Sequence, residues 1–542
     1  MVELAILIGI FSYLVLGLGL LGLLEQTKIL GILGLAGIIF LTVYLRKRIF
    51  LFLKDFWENL KKDKVFLLLF FLLFLQILIN FIGALGPELG FDSLWYHLTI
   101  PKIFLQQGRI FYIPGGLFYY STMPKLLEML YLATLPFSSL GILAKIIHFF
   151  FGVLSVFALY NLVKRYLSPR LAILSAVIFY STLIVGWMSI TAYVDLGRTF
   201  FEILALDLFL QWSQSNEKEK FSSKLVDSAV LLGLAISTKL ISLASLPIYL
   251  IIILLRTKKI KLLLKFSLIS LLIPLPWFVF SFLHTGNPFY PVFSGILDIS
   301  HKIVTPNLFV FLKDVFLIFF NSQDPISAVF LIFIPLIILI FFQKRKVIQE
   351  KIGNAMHYQS FLTLRLFVLL SLLFWFLTPR TGGSRFILPY LPAVSFLLVW
   401  VVVLNRVFYQ KILYLITAVI CFVNLGYRGL ANAKFIKVLV KRETVQSFLE
   451  RRLNFKNDEF FDVNNDLSKI ILKDDLVIIY GSHNLFYADF PIIHESFAKK
   501  GVYFSYLLTQ NTNLPEKYHY LKKVYYNQKS GVSLYLFGQK WE

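Results

Sequence analysis

Long apolar runs recur along this 542-residue chain up to about residue 427. Each run holds roughly 17 or more mostly apolar residues, enough for a helix to cross a hydrocarbon core of about 30 Å. Charged residues make up only 15% of the chain, against about 25% in soluble domains. Because such runs cannot be exposed to water, the sequence predicts an all-α polytopic membrane protein.

The pattern predicts about 13 transmembrane helices, within a range of roughly 11 to 14. Two segments admit a second interpretation: 225–239 and 241–255 as one kinked helix, and 308–320 as a re-entrant or surface helix. The predicted spans are 4–24, 29–45, 66–84, 143–163, 171–188, 194–212, 225–239, 241–255, 266–283, 326–342, 362–378, 386–404 and 412–427.

The charge distribution predicts an orientation and excludes one class of partner. Lys and Arg concentrate in alternate short loops, which the positive-inside rule assigns to the cytoplasm together with the N-terminus. The net charge of +23 is explained by these loops, and no basic-aromatic module accompanies it outside the apolar runs. We therefore expect a protein of the cytoplasmic membrane that contacts lipid headgroups and no nucleic acid.

Two domains are predicted. Residues 1–429 form the transmembrane domain, with long outer loops at about 86–141 and 284–325. Residues 430–542 regain polar and charged side chains and are predicted to form a small extracytoplasmic α/β domain. Its predicted elements are a helix at Lys441–Arg452 and strands at Leu476–Tyr480 and Val532–Phe537.

The first outer loop carries the first candidate catalytic residue, Asp92. Phe91, Leu94, Trp95 and Leu98 share one helical face, which predicts a helix that lies on the membrane. A carboxylate among aromatic side chains just outside the bilayer suits a general base, and the simpler alternative is a helix N-cap.

Tyr96 and His97 lie in the same turn as Asp92 and are predicted to contact substrate. Glu88 and Glu128 are further candidate carboxylates, although Glu128 is explained more simply as a polar residue of an interfacial helix.

Asp195 is the second candidate catalytic residue, at the outer end of the sixth predicted span. Asp195, Arg198 and Glu202 are spaced by three and four residues, so they share one face of a helix. Such a cluster either joins neighbouring helices through neutralised charges or forms a site for a polar substrate or a metal.

Three cations near the same side of the membrane are candidate ligands for a phosphate: Lys239, Arg380 and Arg385. The alternative for each is a side chain that extends to the lipid headgroups. The single cysteine, Cys421, cannot form an internal disulfide, and the histidines lack metal-site spacing. The sequence thus supports no cofactor or metal site, and a divalent ion is the one group left open.

These features follow one another in an order that resembles the GT-C glycosyltransferases, in the branch that contains protein O-mannosyltransferases and lipid A aminoarabinose transferases. The resemblance covers about 85–395. Its motifs are Gly90-Phe91-Asp92-Ser93-Leu94-Trp95-Tyr96-His97, Ser121-Thr122-Met123-Pro124, Tyr193-Val194-Asp195, Gly233 through Lys239, Thr285-Gly286-Asn287-Pro288 and Arg385-Phe386-Ile387-Leu388-Pro389.

The resemblance implies transfer of a sugar from a polyprenyl-phosphate carrier to a lipid, glycan or protein acceptor on the outer face. It implies Asp92 as general base, Asp195 as second site carboxylate, and Lys239 and Arg385 as ligands of the carrier phosphate. An inverting displacement is expected, because one base suffices and no second nucleophile is evident.

Two other functions are open from the sequence: a polysaccharide polymerase or ligase with a lipid-linked donor, and a transporter or flippase. A fourth interpretation, a scaffold whose C-terminal domain binds envelope partners, also stays open. A transporter is disfavoured because no internal repeat is visible and the candidate residues lie at one face of the membrane. The enzyme hypothesis requires Asp92, Asp195, Lys239 and Arg385 to meet at one cavity.

Overall fold

A computed structural model describes residues 1–214, 222–294, 307–320, 325–342, 345–352, 354–378, 383–405 and 407–542. The chain is mostly helical and ends in a small sheet. The α-helices before and within the loop at about 86–141 are α1 Val2–Leu20, α2 Thr27–Tyr44, α3 Arg46–Lys62, α4 Lys64–Ala84, α5 Thr99–Gln106 and α6 Leu126–Thr134.

The central helices are α7 Ile142–Lys164, α8 Pro169–Tyr180, α9 Leu183–Met188, α10 Asp195–Gln214, α11 Ser223–Thr238, α12 Leu246–Thr257, α13 Ile260–Leu272, α14 Leu275–Thr285 and α15 Leu308–Phe320. The remaining helices are α16 Ala328–Phe342, α17 Arg345–Ile352, α18 Ala355–Leu377, α19 Leu391–Val403, α20 Val407–Leu439, α21 Val445–Arg452 and α22 Leu467–Ile470.

Several of these helices make the chain an integral membrane protein. In the described part of the chain, six are long and apolar enough to cross a bilayer, or seven if α13 and α14, which meet at 67°, form one broken span. The count of 13 therefore stays a prediction. The run at 171–188, for example, is two shorter helices, α8 and α9, separated at Ser181 and Thr182.

Helix α10 lies at the centre of the bundle, where α7, α11 and α18 pack around it. Nearly all of its side chains are buried, including the charged residues Asp195, Arg198 and Glu202. A polar residue in such a position must be paired, because an isolated charge cannot be solvated there. The packing of α10 therefore fixes where its charged N-terminal turn meets the rest of the protein.

The break between α11 and α12 places a cation at the end of a helix. Helix α11 ends at Thr238, and Lys239 has an extended backbone (φ −154°, ψ 122°) before a short 3₁₀ turn, Leu240–Ser245. The two helices are thus separated at Lys239, and its side chain can point away from both.

The C-terminal part contains a five-stranded sheet in the order β2-β1-β3-β5-β4. The central strand pairs are parallel between β1 and β3 and antiparallel between β3 and β5. Its strands are β1 Val477–Tyr480, β2 Ile492–His494, β3 Tyr503–Gln510, β4 Lys523–Asn527 and β5 Val532–Lys540. The predicted helix and both predicted strands are confirmed as α21, β1 and β5, while α20 continues through residue 430 to Leu439.

The sheet-bearing region packs directly on the loop at about 86–141. Lys102 donates from Nζ to the carbonyl oxygens of Phe486 (2.7 Å) and Ala488 (2.8 Å). The Tyr487 hydroxyl donates to the carbonyl of Glu88 at 2.8 Å. The ring of His483 lies 4.8 Å from that of Trp95. The loop near Asp92 is therefore covered by the C-terminal residues.

This cover corrects one prediction about the loop. Leu94 and Leu98 were expected on a helix at the membrane surface, but both are fully buried inside the protein. The helix itself is a short π-type turn, Ser93–His97, followed by α5. The apolar face that suggested a membrane contact instead packs against other parts of the chain.

Candidate active site

Asp92 is held by a cation and two tyrosines. Its carboxylate accepts hydrogen bonds from the Arg385 guanidinium at 2.5 Å and from the Tyr96 hydroxyl at 3.0 Å. Its backbone N–H donates to the Tyr193 hydroxyl at 3.2 Å. Although Asp92 precedes the turn Ser93–His97, its side chain makes no capping hydrogen bond there. The N-cap alternative is therefore wrong, and the carboxylate belongs to a charged cluster.

Asp195 forms the other half of this cluster. It is the first residue of α10 and is only 2% exposed, and Lys239 donates to it at 2.7 Å. Arg385 Nε lies 4.0 Å from the second carboxylate oxygen. Both of those atoms are buried and have no hydrogen-bond partner among the described residues. Arg385 therefore lies between the two carboxylates and has donors to spare.

The structure thus brings Asp92, Asp195, Lys239 and Arg385 together from four separate segments. Two carboxylates and two cations balance in charge, which allows all four to be ionised in a partly buried place. Burial raises the pKa of the Asp92 carboxyl, but the attraction of nearby positive charge, above all Arg385, outweighs burial and holds this pKa below its usual value. Asp92 is therefore a carboxylate at neutral pH.

A cavity of about 500 Å³ opens beside the cluster. Lys239, Arg385, Tyr96 and His97 lie in its wall. Most of the remaining lining is apolar: Tyr120, Met123, Pro124, Val194, Leu240, Ile241, Leu243, Ala244, Phe289, Val292, Phe293 and Phe386. The cavity therefore offers an apolar space that ends at two cations.

Glu128 and Lys125 line the same cavity beside His97. His97 Nδ1 lies 2.8 Å from a carboxylate oxygen of Glu128, and both residues are buried. Lys125 is also buried and lines the cavity one helical turn before Glu128. Glu128 is therefore a residue of the cavity rather than of a lipid-facing helix. Lys125 was missed in the sequence, where the only signal is a lysine after a proline in an otherwise apolar segment.

Glu88 links the segment that carries Asp92 to the segment that carries Asp195 through hydrogen bonds. One carboxylate oxygen accepts from the backbone N–H groups of Leu89 (2.8 Å) and Gly90 (2.6 Å). The other accepts from the backbone N–H of Ala192 at 2.6 Å. Since Gly90 and Ala192 lie shortly before Asp92 and Asp195, Glu88 fixes the spacing of the two aspartates and does not reach the cavity.

Replacement of Glu88 by Gln should therefore loosen the site. An amide has one acceptor oxygen, so at least one buried backbone N–H loses its partner, at a cost of about 1–3 kcal/mol. We expect Glu88→Gln to lower the melting temperature of the detergent-solubilised protein by several degrees. Glu58→Gln, at a half-exposed carboxylate that pairs with Lys62, is the control and should leave it unchanged. Equal melting temperatures for both variants would contradict the role of Glu88.

Arg198 and Glu202 of α10 form a separate, structural cluster. Arg198 Nε donates to Glu202 at 2.7 Å, and the other Glu202 oxygen accepts from the Ser245 hydroxyl at 2.9 Å. The Tyr390 hydroxyl lies 3.0 Å from Ser245. Arg198 is therefore neutralised by Glu202, as the helix-joining interpretation predicted, while Asp195 pairs with Lys239 instead.

Two solved structures share this architecture. The crystal structure of apo ArnT from Cupriavidus metallidurans aligns with a TM-score of 0.57, and ArnT bound to undecaprenyl phosphate with 0.53. Each alignment covers 86% of this chain and 97% of ArnT, at 13% identity. The chain has the ArnT fold. The resemblance to GT-C glycosyltransferases is thereby confirmed at the level of the fold.

Because the alignment covers nearly the full length of ArnT, this chain contains the whole ArnT fold. The archaeal oligosaccharyltransferase AglB from Archaeoglobus fulgidus, in complex with an inhibitory peptide and dolichol-phosphate, aligns with a TM-score of 0.44 at 12% identity, over 81% of this chain and 69% of AglB. No protein-family model matches the chain, and no curated protein matches it significantly.

Two sequence predictions concern what else the site holds. Arg380 lies outside the described residues, so its position relative to Arg385 stays a prediction. Over the part of the ArnT fold that the structure describes, no group of three or more His, Cys, Asp or Glu side chains could hold a metal ion.

Proposed function

We propose that this chain is a membrane glycosyltransferase that transfers a sugar from a polyprenyl-phosphate carrier to a lipid, glycan or protein acceptor. The observation that supports it is the meeting of Asp92, Arg385, Asp195 and Lys239 beside an apolar cavity. ArnT, which has the same fold, binds undecaprenyl phosphate. We place the site on the outer face, with the N-terminus in the cytoplasm, in line with the loop charges.

The cavity suits the two unlike parts of such a carrier. Its apolar lining would receive the end of the prenyl chain, and Lys239 and Arg385 would bind the phosphate. Lys239 gives one of its three N–H groups to Asp195, and the buried Nε of Arg385 is unpartnered in the described structure. Both cations therefore keep donors for a phosphate while still paired with carboxylates.

The transfer step follows from the same residues. Asp92 accepts the proton of the acceptor hydroxyl or amine as that atom bonds to the anomeric carbon. The bond between this carbon and the phosphate oxygen breaks on the opposite face, so the configuration inverts. The phosphate leaves on the carrier with its negative charge held by Lys239 and Arg385. A phosphate that competes for Arg385 would also free Asp92 to act as base, and Asp195 would keep Lys239 in place.

A binding measurement tests the carrier assignment. We expect undecaprenyl phosphate to raise the melting temperature of the detergent-solubilised protein, and undecaprenol, which lacks the phosphate, to raise it much less. The double variant Asp92→Asn, Arg385→Gln keeps the charge balance and should remove most of the difference between the two lipids.

Arg48→Gln is the control for this experiment, because Arg48 is an exposed residue of α3 that pairs with Glu3 of α1, away from the cavity. It should keep the full response to the phosphate. Equal stabilisation of the wild-type protein by undecaprenol and undecaprenyl phosphate would contradict the proposal, since the cations would then contribute nothing.

A further inference from the structure

The pair of His97 and Glu128 leaves two polar atoms without partners. His97 Nδ1 and Glu128 Oε1 are 2.8 Å apart, and the side chains are only 2% and 3% exposed. The atoms on their far sides, His97 Nε2 and Glu128 Oε2, are buried and make no hydrogen bond within the described residues. Since a buried polar atom without a partner is costly, and both residues line the cavity, these atoms point to a ligand.

Lys125 adds a donor to this wall. Its side chain is 1% exposed and lines the same cavity. In the ranges that the structure covers, its ammonium group forms neither a hydrogen bond nor an ion pair, in contrast to Lys239 and Arg385, which both contact aspartates. Three N–H donors are therefore free at Lys125, close in the chain to the acceptor atoms of the pair.

The hydrogen bond between the two side chains sets which of their atoms remain for a ligand. When a neutral His97 donates its Nδ1–H to the Glu128 carboxylate, His97 Nε2 remains as an acceptor. The wall then presents two acceptors, one cationic donor and no net charge. Adjacent sugar hydroxyl groups match this set of acceptors and donors. Their O–H groups can donate to Glu128 and His97, and their oxygens can accept from the Lys125 ammonium group.

We propose that His97, Glu128 and Lys125 form a subsite for the hydroxyl groups of a neutral sugar, the one carried by the lipid phosphate. The assignment rests on the proposed function and adds the substrate class to it. A uronic acid would add a net negative charge, and an amino sugar a net positive charge, to a buried wall whose own charges already balance. A neutral hexose or pentose adds no such charge.

Binding to loaded and bare carriers tests the subsite. The probes are undecaprenyl phosphate alone, the same lipid carrying glucose, galactose or mannose, and the same lipid carrying an amino sugar or a uronic acid. We expect the full-length wild-type protein to bind at least one neutral-sugar carrier about ten-fold more tightly than the bare carrier, as one charge-assisted hydrogen bond allows. The charged-sugar carriers should gain nothing over the bare lipid.

Two variants assign the gain to these residues. Glu128→Gln keeps an oxygen for His97 but turns the second acceptor into a donor, and Lys125→Met keeps the length of the side chain without its donors. Each should remove the gain from the neutral sugar and leave binding of the bare carrier unchanged. Glu58→Gln, at a half-exposed carboxylate that pairs with Lys62 and does not line the cavity, is the control and should preserve the gain.

The outcomes separate the subsite from the proposed function. A wild-type protein that fails to bind the bare carrier refutes the carrier itself. Binding of the bare carrier with no gain from any neutral sugar, or a gain only from a charged sugar, overturns the subsite alone. A loss of bare-carrier binding in both Glu128→Gln and Lys125→Met would also overturn it, because these residues would then serve the phosphate.

Discussion

Replacement of Asp92 by Asn should abolish sugar transfer while the protein still folds and binds its carrier. The carboxamide has nearly the shape of the carboxylate and can still accept from Tyr96 and Arg385. It cannot take up a proton, so the contribution of a general base, about 10²–10⁴ in rate, is lost. A producing strain that carries only this variant should therefore lack the sugar that the wild-type enzyme adds to its envelope glycans.

A matched control keeps this result specific. Asp489→Asn removes an exposed carboxylate on the C-terminal part, 3.4 Å from Lys102 and 76% exposed, and should leave transfer unchanged. Stabilisation of Asp92→Asn by undecaprenyl phosphate would show that its site is intact. Normal envelope glycans in the Asp92→Asn strain would remove Asp92 from the mechanism.

The fold was predictable where apolar runs are long and uninterrupted. Helices α4, α7 and α18 lie close to their predicted spans because each presents apolar side chains over about 20 residues. Helix α10 has the right position but carries four charges, which only its buried partners can explain. Breaks such as that at Lys239 depend on local backbone and tertiary packing, which apolarity alone does not encode.

The sequence predicted which charged residues form the site but not which of them pair with one another. Charges at the predicted outer ends of spans are costly, so Asp92, Asp195, Lys239 and Arg385 stood out as candidates. The sequence could not show that Arg385 bridges both aspartates, because these residues are separated by up to 293 positions. Lys125 was missed for a related reason: a lysine beside apolar residues also fits a side chain that extends to lipid headgroups.

The contact between Lys239 and Asp195 predicts the second large effect. Lys239→Met leaves the carboxylate of Asp195 buried without the ammonium group that lies 2.7 Å from it. Loss of one partner of a buried ion pair costs about 3–5 kcal/mol. We expect a sharp fall in melting temperature and no transfer. Lys164→Met, at a partly exposed ion pair with Asp55, is the control and should change stability by about 1 kcal/mol or less.

The double variant Lys239→Met, Asp195→Asn separates the structural role of this pair from its chemical role. Without the buried charge, the protein should regain most of the lost melting temperature, because a carboxamide is far less costly to bury than an unpaired carboxylate. Transfer should stay absent, since the phosphate still lacks the cation that Lys239 supplies in the native protein. If the double variant recovers transfer together with stability, Lys239 and Asp195 only hold helices together, and the phosphate must be bound elsewhere in the cavity.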